Sequence, residues 1–144
     1  DKSDTMPNND NLIPSQVVKT LNDNGLGKKL KLFLSIPSNP NFVKIQKKID
    51  ATPAGFFTQV IHSKDQIEKI VLGLKPNGFK IIPCLLLPSQ NNLKSAEFLK
   101  IDWSNYKENI VGFINEIHSI AGDILITSPN DFKRAYETIS KLAS

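Results

Sequence analysis

Thr58 and Gln59 close the apolar run "AGFFTQVI" with a hydroxyl and an amide. A side-chain amide offers donors and an acceptor together, so at a strand end it serves either a neighbouring loop or a polar ligand. His62, three residues on, could face the same ligand. Lys47 and Lys48, upstream in "KKIDATPAGFFTQV", read from their position as solvated charges complementing a helix C-terminus. Phe98 lies in a polar connection, where it either packs or presents an aromatic face for a heterocycle to stack on. Trp103 and Tyr106 read as core or interface anchors, His118 as structural, and Cys84 as an inert thiol inside an apolar strand. No spacing of His, Asp or Glu suggests a metal site. There is no nucleophile-elbow pattern and no Gly-rich phosphate loop, so the residues define no catalytic group.

These side chains can meet only if the intervening elements bring them to one rim. After a polar lead, "PSQVVKTLNDNGLG" predicts a short helix capped by Ser15, so residues 1–27 are read as lead plus helix. Strands are expected near 30–36, 55–61, 80–87 and 123–127, each followed by a helix or a helical connection. "NPNFVKIQKKID" places Phe42, Ile45 and Ile49 on one helical side. "SKDQIEKIVLGLKPNG" is capped by Ser63 and carries the stripe Ile67, Ile70, Val71 and Leu74. "FKIIPCLLLP" is apolar on both faces, which predicts a strand covered by helices on each side. "YKENIVGFINEIHSIAG" sets Ile110, Ile114, Ile117 and Ala121 in register. The last helix is expected to start at Ser128 and Pro129 and to bury Phe132, Ala135, Tyr136, Ile139 and Leu142. Alternating strands and helices imply an α/β fold with a parallel sheet. Its strand C-termini, where such sheets collect ligands, would hold Ser35 to Ser38, Gln59 to His62, Leu87 to Gln90 and Thr127 to Asn130.

The 144 residues fit one domain with a modest core, and 40% hydrophobic with 22% charged residues is ordinary for a globular protein. The net charge of +4 is spread along the chain, and Arg134 is the only arginine. Without a concentrated basic face, no nucleic-acid partner is expected. Cys84 is the only cysteine, which rules out an internal disulfide and agrees with a reducing, cytoplasmic setting. The longest apolar run, about eight residues around "IIPCLLLP", is too short to span a membrane. "DKSDTMPNNDN" lacks the regions of a signal peptide, and its start on Asp1 rather than Met is read as the mark of a piece of something longer.

The segment from Lys47, Lys48, Ile49, Asp50 and Ala51 to Thr58 and Gln59 resembles methylenetetrahydrofolate reductase, where a basic-basic-V/I-D-A segment leads to a strand ending in TQ. Upstream, "LFLSIPSNPNF" is similar to that family's preceding strand and proline-containing turn. "LKPNGFKIIPCLLLPSQNNLKSAEF" is similar to its helix, its "IIPGILP" strand and the aromatic that follows. "GDILITSPNDFKRAYETISKL" resembles its last strand and helix. The resemblance covers about residues 28–143 and corresponds to the second half of an eight-stranded β/α barrel.

That resemblance implies four parallel β/α units over residues 28–144, half of a (β/α)8 barrel, from a flavoprotein that reduces a methylene-pterin through FAD. Lys48, with Lys47, Lys44 and Asn41, would then contact the flavin. Gln59 would hydrogen-bond the pterin of a folate, Phe98 would pack on it, and Asn130 would match a rim asparagine. Asp131 stands where the family has an arginine, and the family's first-half acid has no counterpart. The implied partners are a folate or other pterin and either a missing N-terminal half-barrel or another copy of the chain. A non-catalytic half-barrel binding or regulatory module, or a free-standing α/β small-molecule-binding domain, remains the alternative.

Overall fold

The computed structural model describes residues 13–144; the polar lead over residues 1–12 lies outside the described residues. Helix α1 (Pro14–Asp23) precedes strand β1 (Phe33–Ile36), followed by α2 (Gln46–Asp50) and β2 (Gly55–Val60). Then come α3 (Lys64–Leu74), β3 (Lys80–Leu86), α4 (Leu93–Leu99), α5 (Ile110–Ala121), β4 (Leu125–Thr127) and α6 (Phe132–Leu142). The sheet is four-stranded, parallel throughout and ordered β1-β2-β3-β4. The strands fall where the sequence places them, with β1 beginning three residues later than the expected 30.

Local signals explain the helix boundaries. Ser63 caps α3 through its hydroxyl, which accepts the Gln66 N–H, while the Gln66 side chain accepts the Ser63 N–H, closing a reciprocal capping box. A turn at Lys75–Asn77 ends in Gly78 at φ 88, a conformation that a Cβ disfavours. The long connection after β3 holds the seven-residue α4. Helix α6 starts later than expected, because Asp131, not Ser128 or Pro129, accepts the Arg134 N–H at 3.0 Å and is the cap. Backbone donation from Arg134, then the Ser89 hydroxyl, hold the Asp131 carboxyl below its ordinary range.

The core lies on one face of the sheet. Leu34, Ile36, Phe56, Ile81 and Leu85 pack against Val18 of α1, Ile67, Ile70 and Leu74 of α3, and Ile114, Ile117 and Ala121 of α5. Tyr106 stacks on Phe113 with ring centroids 4.3 Å apart, and burial followed by the nearby Asp102 charge raises its phenol pKa. The alternate strand residues, Phe33, Phe57, Ile82 and Cys84, are only half-buried, and Ser35 and Gln59 are exposed. This corrects the expectation for β3 in part: Leu85 and Leu86 are buried on both faces at its C-terminal end, whereas Ile82 and Cys84 face the open side and are only half-buried.

A second correction concerns α6. Ala135 and Leu142 pack partly on the core and Thr138 is buried, but Phe132, Tyr136 and Ile139 are 83%, 68% and 54% exposed. Spaced four and three apart, they form one exposed stripe, and Leu125 of the edge strand β4 is exposed as well.

Candidate functional site at the strand C-termini

The open face continues at the C-terminal ends of β2 and β3 into two adjoining hollows. One, about 440 Å³, has Leu86, Phe98, Thr127 and Pro129 in its wall. The other, about 390 Å³, is walled by Ser38, Gln59, His62 and Lys100. Val60, Cys84 and Leu99 line both, so they are two parts of one cleft beneath α4. A larger depression of about 620 Å³ runs along α1 alone, with no second element among the described residues to wall it.

An irregularity in β2 aims this site. Phe57 pairs with Ile82, but Cys84 pairs with Val60, so Thr58 and Gln59 together oppose Pro83. Proline has no N–H to give the ladder, which weakens pairing at that point. Thr58 repairs it: its hydroxyl accepts the Cys84 N–H at 3.1 Å and donates to the Gln59 carbonyl at 2.7 Å. Beyond a regular strand, Val60 would turn into the core; the bulge instead sets both Gln59 and Val60 at the cleft, and Ile61 takes the buried position. The amide of Gln59 thus stands at the rim, with no hydrogen bond to protein among the described residues.

A polar cluster fixes the other wall. Asn92 is fully buried; its amide donates to the Leu87 carbonyl at 3.0 Å and the Ser128 hydroxyl at 2.9 Å, and its oxygen accepts the Asn130 N–H at 3.1 Å. These bonds tie the β3–α4 connection to the β4–α6 turn. Asn130 donates its side-chain amide to Ser95 of α4 at 3.0 Å, placing it beside the Phe98 hollow rather than in its lining. Phe98 itself is 86% exposed and projects over that hollow.

The expected flavin contacts divide. The Lys48 ammonium donates to the Ser35 carbonyl of β1. Asn41 accepts the Lys44 N–H at 3.1 Å, shaping the turn after β1, and leaves the Lys44 side chain exposed. Lys47 lines a separate hollow between α1 and α2, with Ser15, Lys19 and Asp50. Lys44 and Lys48 therefore follow the end of β1, whereas Lys47 turns toward α1.

The cleft presents hydrogen-bonding side chains and lysines to whatever enters it. Burial pushes the Cys84 thiol up, which keeps it protonated and a poor nucleophile at neutral pH. Among the described residues, no group of His, Cys, Asp and Glu could hold a metal ion. Among the described residues neither hollow has a carboxylate in its lining, and the lysines there are Lys94 and Lys100. Sequence reasoning passed over Asn92, which looks like one more polar loop residue in "PSQNN". It also passed over Lys100, although a helix end without glycine in "EFLKID" was a visible signal. No protein-family model matches this chain, and a search of curated proteins returns no match.

No helix among the described residues is long and apolar enough to cross a membrane.

Proposed function

We propose that the chain is half of a β/α barrel whose open sheet face is the interior of a ligand cavity, and that its rim binds a folate or related pterin beside a flavin. The observation that carries this reading is one-sided burial. A doubly wound sheet is covered on both faces, whereas barrel strands turn one face to helices and the other to an enclosed interior. Here α1, α3 and α5 pack on one face, the other is half-exposed and lined by Phe33, Phe57 and Ile82, and both sheet edges are unpaired among the described residues.

The helices also indicate what completes the barrel. Each gap between neighbouring barrel strands carries one helix outside. Helix α1 packs at the β1 flank through Val18, and α6, which follows β4 and touches α5, would fill the gap beyond β4. A second copy would bring its α1 and this chain's α6 into the same gap. A unit of four strands and three helices leaves one helix for each gap, so the complement is a different β/α segment. Its docking would cover Phe132, Tyr136 and Ile139, at about 2 kcal/mol for each large side chain removed from water.

Within that cavity Gln59 would fix the pterin edge and Phe98 would cover the ring. The donor set at β1 suits a flavin's phosphates: Lys44 is an exposed cation, and Lys48 uses one of its three N–H donors on Ser35. Bound FAD would supply the hydride chemistry that turns a methylene-pterin into a methyl-pterin. The chain's part is to hold and orient the two ring systems. One observation favours a second reading, a binding half without catalysis: among the described residues no carboxylate lines either hollow.

FAD titration of the protein as isolated from its own cells tests the proposal. Lys48→Ala should raise the FAD dissociation constant about tenfold, the cost of one charge-assisted bond. An unchanged constant would leave Lys48 with the edge of β1 as its only role.

A further inference from the structure

We infer that the Gln59 hollow is an anion subsite, with Lys100 as the residue that meets a carboxylate or phosphate carried by the ligand. The inference rests on the reading of the rim as a ligand site and adds the charge of what binds there. Its first ground is composition. The polar wall of the 390 Å³ hollow is Gln59, His62, Ser38 and Lys100, three side chains able to donate and one cation, with no carboxylate in the lining among the described residues; Val60, Cys84, Leu99 and Ile101 line the rest. Asp102 is the acidic group nearby, close enough to His62 for their charges to interact. Its carboxylate accepts the Ser104 N–H at 2.9 Å outside the hollow, and that bond is the main reason its pKa is lowered.

The second ground is backbone conformation. Lys100 ends α4 at φ 55 and ψ 43, the left-handed region, which it shares with Gly25, Gly78 and Gly122 and with one other non-glycine, Thr52, among the described residues. Its own N–H bonds to the Glu97 carbonyl at 3.1 Å and the next N–H, of Ile101, to the Ala96 carbonyl at 2.8 Å, so the turn is the ordinary closure of a helix. Glycine would close it without strain. A lysine there carries a conformational cost and gives the fold no hydrogen bond from its side chain among the described residues, but it lines the hollow with a residue whose free ammonium can reach a ligand there. The ring of the ligand belongs across the boundary of the two hollows at Val60, Cys84 and Leu99, with its face under Phe98 and its polar edge on Gln59, and its charged substituent belongs beside Lys100.

Stability and affinity should therefore move in opposite directions when Lys100 is replaced. Lys100→Gly relieves the left-handed turn and should raise Tm by about 3 °C. The same variant should lose about tenfold in affinity for folic acid, measured by fluorescence titration, while 6-methylpterin, which has no carboxylate, binds as before. Lys100→Asn, which tolerates this backbone without a charge, should lose the same affinity. Added salt should weaken folic acid more than 6-methylpterin in the unaltered protein. Inorganic phosphate, followed by NMR shifts at Gln59 and His62, separates the two questions. Phosphate binding that disappears in Lys100→Gly supports the anion subsite even where neither pterin binds, which would sink the folate reading alone. Equal affinity of the variant and the parent for folic acid and for phosphate overturns the inference and leaves Gln59-dependent pterin binding standing. A parent protein that takes up none of the three probes overturns both.

Discussion

Asn92→Ala should lower the unfolding free energy by about 3 kcal/mol, because a buried carbonyl loses its donor and two further groups lose a partner. Asn92 is fully enclosed, and its three side-chain bonds reach Leu87, Ser128 and Asn130. The Ser128 hydroxyl can still donate to the Asp131 carbonyl at 2.6 Å, and Asn130 is exposed to solvent, so the loss is concentrated at the Leu87 carbonyl. The same change unties the β3–α4 connection from the turn before α6. The Phe98 wall should then shift relative to Thr127 and Pro129, and pterin affinity should fall with it. Urea denaturation checks the first part; a loss below about 1 kcal/mol, the size of a surface effect, would mean the cluster is not what holds this rim.

Gln59→Ala should weaken binding of 6-methylpterin by about 30-fold while FAD stays bound. A ligand edge that donates and accepts is left unpaired when the amide is cut away, a penalty of about 2 kcal/mol. The side chain makes no hydrogen bond to protein among the described residues and is exposed, so the fold itself should lose less than about 0.5 kcal/mol. That separation makes the variant informative: affinity falls and Tm holds. Unchanged pterin affinity would remove Gln59 from the site, and a large fall in Tm would assign it a structural bond instead. Gln59→Glu keeps one acceptor and loses the paired donor, and should recover only part of the binding.

Much of the fold was legible because its signals are local. Ser63 and Gln66 sit three residues apart and define the start of α3, and Ile67, Ile70 and Leu74 repeat at helical spacing. The alternation of strands and helices was enough for a parallel sheet. What escaped was which faces the sheet and α6 leave open. Phe33, Phe57 and Ile82 are as apolar as the residues behind them, so hydrophobicity along a strand does not distinguish a helix-covered face from one left open. In α6 the periodicity defines an apolar face but not its partner. The large residues Phe132, Tyr136 and Ile139 point outward, while Ala135, Thr138 and Leu142 meet the rest of the chain.

The site divides in the same way. Gln59 stands at a strand end, which a sequence can show, and Phe98 follows the next strand in a connection that visibly interrupts the rhythm. The bulge that turns Val60 to the cleft depends on Pro83, 23 positions away in the chain, and on a Thr58 hydroxyl that replaces a ladder bond. Asn92 depends on partners 36 and 38 positions downstream. Such side chains are selected by tertiary neighbours, and no local pattern marks them. The separation of Lys47 from Lys48 has a simpler cause: adjacent helical residues point about 100° apart, and α1 lies against only one of them.

Native mass spectrometry of the protein isolated from its own cells, with its visible absorbance spectrum, tests the half-barrel most directly. The expected result is this segment within a larger particle that contains a further β/α unit of similar size, joined to it or bound to it, and a flavin spectrum. A colourless particle with the mass of this chain alone, stable and unable to take up FAD, would contradict it.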